Sequence, residues 1–339
     1  MSIFNTNDID QLVKDLYQPL KARNPKYQKK KKVIIIAGPT SVGKTNLSIS
    51  IAKILNAEII SVDSMQVYKN MDIGTAKATI EQRKEIKHHL IDIKNINEPF
   101  NVSEYYRYAH KALREIFTSN KTAIIVGGSG FYIHALLYGP PLGPPSEAEV
   151  RKDLEEKMKL MGAEFMYERL QMVDPKYAKT ITEMDRQKII RALEIITITK
   201  RKVSDIPKPQ IIKSDLYDYR NWFLYYPKDI LYKKVEKRCD EMIEMGFIEE
   251  VKKLLKEGLL ENASAAQAIG YRQCIEYLNS NQTNEDYLKF VYKFKQASRK
   301  YVKRQFTWFR KEPFFRWMNL LEIPIEKAKE FILQDYEQN

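Results

Sequence analysis

Only two cysteines occur in 339 residues, Cys239 and Cys274, and no CxxC pair or Cys/His ligand spacing is present. That removes a disulfide framework and a zinc site from consideration and fits a reducing cytoplasm. No apolar run approaches the roughly 18 residues of a membrane-spanning helix, so no membrane association is expected. The amino terminus lacks the basic-then-apolar order of a secretory signal, and Asp8, Asp10 and Asp15 argue against an organelle transit peptide. Acidic residues are in deficit too, 44 against 57 Lys and Arg, which leaves a formal net charge of +13. An excess of that size suggests a polyanionic partner, with nucleic acid favoured over a membrane surface. A Lys-rich solvated surface is the bland alternative.

What is present is an alternation of apolar runs and helical patterns. Runs at 33–37, 58–62, 89–93 and 122–126 read as strands, the segments to about Leu55 and over 102–118 as helices, and 79–87 as an amphipathic stretch. Alternating strands and helices predict a parallel sheet. The breaker cluster Gly139-Pro140-Pro141-Leu142-Gly143-Pro144-Pro145 marks a boundary. Beyond it, 147–200 reads as helical and closes in the loop Ile206-Pro207-Lys208-Pro209, after which 221–226 returns as a strand and helices continue to about residue 310.

The loop Gly38-Pro39-Thr40-Ser41-Val42-Gly43-Lys44-Thr45 sits between the first apolar run and a helix, the spelling and context of a phosphate-binding loop. Backbone amides there converge on phosphate oxygens, Lys44 adds a point charge, and the Thr45 hydroxyl suits Mg²⁺. Thr40 either projects its hydroxyl toward the site or stabilises the turn. The expected fold is therefore α/β, a P-loop NTPase-like parallel sheet flanked by helices with an inserted helical domain. Its expected divisions are an extension at 1–31, a core at 32–145 and 215–339, and an insertion at 146–214.

Most nucleotide hydrolases carry a second strand ending in Asp or Glu that organises Mg²⁺ and water. Here the run 122–126 ends in Gly127-Gly128-Ser129-Gly130, which removes that carboxylate and weakens an ATPase reading. The glycines are expected to admit another molecule's backbone or base. Asp63 and Asp92 remain as strand-end carboxylates, each a base or metal partner, with a helix cap or loop turn as the alternative. His88 and His89 read as loop and packing residues.

Two further segments carry charge. Lys289, Lys293, Gln296, Lys300 and Lys303 recur at helical spacing as a basic stripe, while Phe290, Phe294, Ala297, Tyr301 and Trp308 form a second stripe read as core. Within the insertion, Gln187 and Arg191 share one helix turn and suit polar contacts with a loop of RNA, although a solvated helix face explains them nearly as well.

Taken in order, these residues resemble the tRNA dimethylallyltransferases, of the bacterial type. The matching motifs are Ala37 through Thr45, Ser61 through Tyr68, Met71 through Lys77, His88 through Asp92, Gly127-Gly128, Arg186-Gln187 through Glu194, Ala268 through Arg272, and Lys303 through Arg310. They cover most of the chain. Two features depart from the family pattern: Ser129 stands where Thr is usual, which keeps the hydroxyl, and the zinc module of some eukaryotic members is absent.

The resemblance implies transfer of a dimethylallyl group from dimethylallyl diphosphate to N6 of the adenosine at position 37 of tRNA, beside the anticodon, by a monomeric cytoplasmic enzyme. It implies that residues Gly38, Pro39, Thr40, Ser41, Val42, Gly43, Lys44 and Thr45 hold the diphosphate with Mg²⁺ at Thr45. Asp63 matches the catalytic aspartate, and Thr40 and Arg238 would stabilise the leaving group. RNA contacts fall by the same resemblance on Asp63, Ser64, Met65, Gln66, Ser129 and Arg151, and on Gln187, Lys188, Ile189, Ile190 and Arg191. A small-molecule or nucleotide kinase, which would bind ATP in the same loop, and a non-catalytic P-loop RNA-binding protein are the alternatives.

Overall fold

The computed structural model describes residues 30–207 and 216–338. The extension at 1–31 and the loop at 206–209 thus fall largely or partly outside the described residues. Six strands form one sheet: β1 (Lys31–Ala37), β2 (Ala57–Val62), β3 (His88–His89), β4 (Thr122–Gly127), β5 (Tyr217–Tyr225) and β6 (Arg316–Asn319). Their order is β3-β2-β4-β1-β5-β6, and every pairing is parallel. The helices that matter below are α1 (Lys44–Ile54), α2 (Val102–Thr118), α3 (Gly130–Tyr138), α4 (Ala148–Val173), α5 (Arg186–Thr199), α6 (Lys228–Glu244), α7 (Phe247–Lys256), α8 (Tyr271–Leu278), α9 (Asn284–Phe309) and α10 (Ile325–Glu337).

Strand alternation divides the core into two layers. In β1, Val33, Ile35 and Ala37 face a cluster that includes Tyr105 and Leu113 of α2, Phe247 of α7 and Phe294 of α9. Ile34 and Ile36 face the opposite cluster, with Leu47 and Ile51 of α1 and Ala328 and Ile332 of α10. A strand buried on both faces reads as continuous apolar sequence, and β1 does. The helical segment between β4 and β5 has a third cluster of its own, with Leu154, Met166 and Leu170 of α4 against Ile189, Ile190 and Leu193 of α5.

Three expectations need correction. The run 89–93 does not continue as a strand, because Leu90 and Asp92 take φ of 64° and 57°, left-handed turns that end the pairing at His89. β6 and α10 lie beyond residue 310, where the sequence reading stopped. The glycines after β4 are required by internal packing. A Cβ on Gly127 would stand 2.1 Å from the Val62 carbonyl oxygen of neighbouring β2, and one on Gly128 would stand 2.2 Å from Gln305 Nε2.

Gly127→Ala is expected to lower unfolding stability by about 3 kcal/mol, since backbone must move to relieve the contact. Equilibrium denaturation measures this; a change below about 0.5 kcal/mol, the scale of a neutral surface substitution, would show that the two strands are free to separate there.

Candidate active site

The carboxyl ends of β1, β2 and β4 lie side by side, because Ala37 and Val62 both pair with Gly127. In open α/β sheets that edge is where ligands bind. Here it borders a cavity of about 360 Å³ whose wall includes Thr40, Lys44, Thr45, Asp63, Gln66 and Arg238. Ser64, Met65, Gly127 and Gly128 line it as well. The glycine-rich loop leads into α1, whose cap is Gly43 in a left-handed conformation, with no side chain bonded to the first-turn amides and no acid in that turn. Such a terminus favours an anion. Of the loop, only Thr40, Lys44 and Thr45 line the cavity; Gly38, Pro39, Ser41 and Gly43 do not, and the Val42 side chain, 2% exposed, packs in the core.

Lys44 Nζ donates to the carbonyls of Gly38 at 2.8 Å and Pro39 at 2.6 Å. Burial, aided by the neighbouring Arg238 charge and opposed by Asp63, pulls its pKa down to about 7. Arg238, carried by α6, donates to Thr40 Oγ1 at 2.8 Å, so the Thr40 hydroxyl proton is left for an acceptor in the cavity. Ser41 Oγ is buried without a hydrogen-bond partner among the described residues.

Asp63 ends its strand in a turn. Its Oδ1 accepts the amides of Met65 at 2.8 Å and Gln66 at 3.3 Å. Burial raises its pKa, against the pull of those amides and of Lys44 and Arg238, which makes it a stronger base than a solvated carboxylate. Asp92 is engaged otherwise. Its two oxygens take Lys77 and Arg83, and although burial alone would raise its pKa, these partners hold it below the usual carboxylate range. Of the two strand-end carboxylates, Asp63 is therefore the one placed for proton transfer.

The wall opposite the loop depends on residues the sequence reading missed. Glu250 of α7 accepts the backbone amides of Asp72, Ile73 and Gly74 at 2.6 to 3.1 Å and the Tyr271 hydroxyl at 2.7 Å. The same loop offers the Thr75 carbonyl to Gln66 Nε2 at 3.1 Å, while Ser61 donates to Gln66 Oε1 at 2.8 Å. A chain of hydrogen bonds thus runs from α7 to the turn that holds Asp63. Gly74 and Tyr271 lie in recognisable motifs, whereas a lone Glu on a helix carries no signal. Tyr301 was expected in the core; it lines the cavity next to Ser129, and burial pushes its hydroxyl pKa up.

The insertion residues are placed differently. Arg151 donates to Gln187 at 2.7 Å and to Glu155 at 2.9 Å, and Arg191 donates to the fully buried Glu194 at 2.7 Å. Lys188 pairs with Asp185 on the surface at 3.3 Å. Ile189 and Ile190, expected at an RNA contact, are 0% and 3% exposed in the insertion's apolar cluster and have no surface to offer. None of these residues lines the cavity.

Known proteins resemble this chain in sequence and in fold. The family model "IPP transferase" matches residues 66–312. A tRNA dimethylallyltransferase of Protochlamydia amoebophila is 51% identical over 98% of this chain and 97% of its own length, an alignment that reaches into residues 1–31. One of Chlamydia pneumoniae is 44% identical over 91% of this chain and 90% of its own. Among solved structures, the full-length tRNA isopentenylpyrophosphate transferase of Bacillus halodurans superposes with a TM-score of 0.65 at 37% identity, over 91% of this chain and 97% of that one. A eukaryotic dimethylallyltransferase acting on tRNA gives 0.73 at 26% identity, over 90% and 78%.

Two outcomes are expected. With Lys44 near pKa 7, its amine is mostly neutral at pH 8, and an anion bound beside it should restore its proton. Pyrophosphate binding at pH 8 should therefore take up about one proton more in the wild type than in Lys44→Arg, and the difference should shrink at pH 6. Calorimetry in buffers of different ionisation enthalpy reads this; equal uptake by both proteins at pH 8 would refute it. Glu250→Ala should cost about 2–4 kcal/mol by leaving three amides unpaired, and Glu250→Gln less, in chemical denaturation. Equal effects of the two substitutions would remove the hydrogen bonds as the cause.

Proposed function

The chain belongs to the IPP transferase family, and from that premise we propose that it transfers a dimethylallyl group from dimethylallyl diphosphate to N6 of the adenosine at position 37 of tRNA. It is a prenyl-transferring enzyme whose named relatives act on tRNA. The observation that carries the detailed reading is the shared cavity, which a half-buried carboxylate, Asp63, lines together with the start of α1 and two basic side chains, Lys44 and Arg238.

The adenine N6 amine is a poor nucleophile because its lone pair is delocalised into the ring. As N6 attacks C1 of the allyl group, the bond from C1 to the diphosphate oxygen breaks and the amine must lose a proton. Asp63, with Oδ1 fixed by the Met65 and Gln66 amides, receives that proton on its other oxygen. Charge leaving on the diphosphate is met by the first-turn amides of α1, by recharged Lys44, by the Thr40 hydroxyl and by Arg238. Ser41 Oγ, a buried donor of the same loop with no partner among the described residues, would suit a phosphate oxygen held by that loop.

Thr45 suits Mg²⁺, since its hydroxyl is on the cavity wall and such an ion needs few protein ligands when diphosphate oxygens supply the rest. The ion would neutralise part of the diphosphate charge. Ser64, Met65 and Gln66 would border the inserted base, with Ser129 near its entry. Arg151, Gln187, Lys188 and Arg191 remain the proposed RNA contacts of the insertion at 146–214. The reading assigns the loop to a prenyl diphosphate and not to ATP, and takes the enzyme as a cytoplasmic monomer. No helix among the described residues is long and apolar enough to cross a membrane.

Unmodified tRNA incubated with labelled dimethylallyl diphosphate and Mg²⁺ should yield labelled adenosine on nucleoside analysis; an unlabelled product from tRNA that binds would overturn the reading. Asp63→Ala should lower turnover by about a hundredfold to ten-thousandfold with little change in tRNA affinity. Turnover at the wild-type rate in that variant would exclude Asp63 as the base.

A further inference from the structure

Helix α9 separates the active-site cavity from a second depression of about 800 Å³ between α3 and its own carboxy-terminal half. Tyr301 and Gln305 face the first; Lys300, Arg304 and Trp308 face the second. The Trp308 and Phe131 rings are 38% and 45% exposed and meet edge to face with centroids 5.9 Å apart. Trp308 is held in place before any ligand arrives. Gly130 opens α3, and a Cβ there would stand 2.3 Å from Trp308 Cδ1, so the ring lies directly on the helix backbone.

The cations in the middle of α9 are the ones with ion-pair partners. Lys293, Lys295 and Arg299 are each paired with a carboxylate, Glu276, Asp240 and Glu236 respectively. Lys300, Lys303, Arg304 and Lys311 line the depression and, among the described residues, pair with none. The one acid at the depression, Glu312, is buried beneath it and taken up by His134 at 2.9 Å and the Tyr138 hydroxyl at 3.0 Å. Fixed, exposed aromatic faces ringed by uncompensated cations suit a nucleobase and its phosphate, because every base has a stacking face and single strands carry their charge alongside.

We propose that this shelf holds a nucleotide that flanks the target adenosine, its base against Trp308 and Phe131 and its phosphate among Lys300, Lys303, Arg304 and Lys311. The inference rests on the tRNA reading above. It adds a second base-holding site outside the catalytic cavity, reached across the Ser129–Gly130 start of α3, so that the RNA is gripped on both sides of α9.

The test uses anticodon stem-loop RNAs, intact or with one nucleotide beside the target made abasic at a time. Affinity is measured for the wild type, Trp308→Ala, Trp308→Phe and Phe131→Ser. In the wild type one abasic position should weaken binding about tenfold. Trp308→Ala should lose about tenfold on intact RNA and nothing more at that position, Trp308→Phe should retain most of the affinity, and the KM for dimethylallyl diphosphate should stay unchanged. Phe131→Ser, at an exposed position, should reproduce the loss in part and keeps the test intact if Trp308→Ala fails to fold. An abasic penalty that persists undiminished in Trp308→Ala, or in Phe131→Ser should that be the folded variant, would overturn the shelf. Absence of dimethylallyl transfer to the intact stem-loop by the wild type would instead refute the functional reading itself.

Discussion

Two basic side chains, Lys44 and Arg238, share one cavity with the Asp63 carboxylate, whose negative charge offsets both their desolvation and their repulsion of each other. Burial alone would strip Lys44 of its proton and give one to Asp63. The Asp63 charge opposes the first change, and Lys44 and Arg238 oppose the second. The pair is therefore poised, so that an anion bound beside Lys44 would tip it by restoring charge to the amine. A site built for hydrolysis would add a further carboxylate at the end of β4. Here Gly127 occupies that place, and the adjoining β2 backbone leaves no room for any side chain.

That closeness of β2 and β4 also sets the geometry of the site. It draws the ends of the two strands together, so that the turn carrying Asp63 faces the glycine-rich loop. The Glu250 carboxylate then fixes the opposite wall through the amides of 72–74, and Gln66 ties that wall back to the Asp63 turn. Asp92, Lys77 and Arg83 form a second ionic group that supports the same loop from behind. The turn that carries Asp63 is thus tied, through Gln66 and the 72–75 loop, to Glu250 on α7.

Local patterns were legible where one physical signal dominates. The doubly buried strands showed as unbroken apolar runs, and the helix over Val102–Thr118 showed by its periodicity. The loop showed because only glycines and a Lys-Thr pair meet its backbone and charge requirements. Signals of equal strength with two explanations misled. His89 to Ile93 looks like a strand by composition, yet Leu90 and Asp92 turn left-handed, and Asp92 reaches the Lys77 and Arg83 charges. Ile189 and Ile190 lie within a family motif, but two adjacent β-branched residues there serve the insertion's apolar core. Tyr301 and Trp308 shared a stripe with Phe290 and Phe294, and the helix turns them onto a cavity and a surface instead.

Sequence by itself determined the chemistry on offer: an anion-binding loop, a strand-end aspartate, no metal carboxylate after the fourth apolar run, and an excess of positive charge. These follow from residue type and near-neighbour spacing, which local backbone sterics and periodicity make readable. Tertiary structure alone decided which of Asp63 and Asp92 remains free to act, why the glycines after β4 are glycines, that Glu250 supports the cavity wall, and which cations of α9 stay unpaired. Each of those depends on contacts between residues tens to hundreds of positions apart, and burial and pairing at that range leave no periodic trace in the chain.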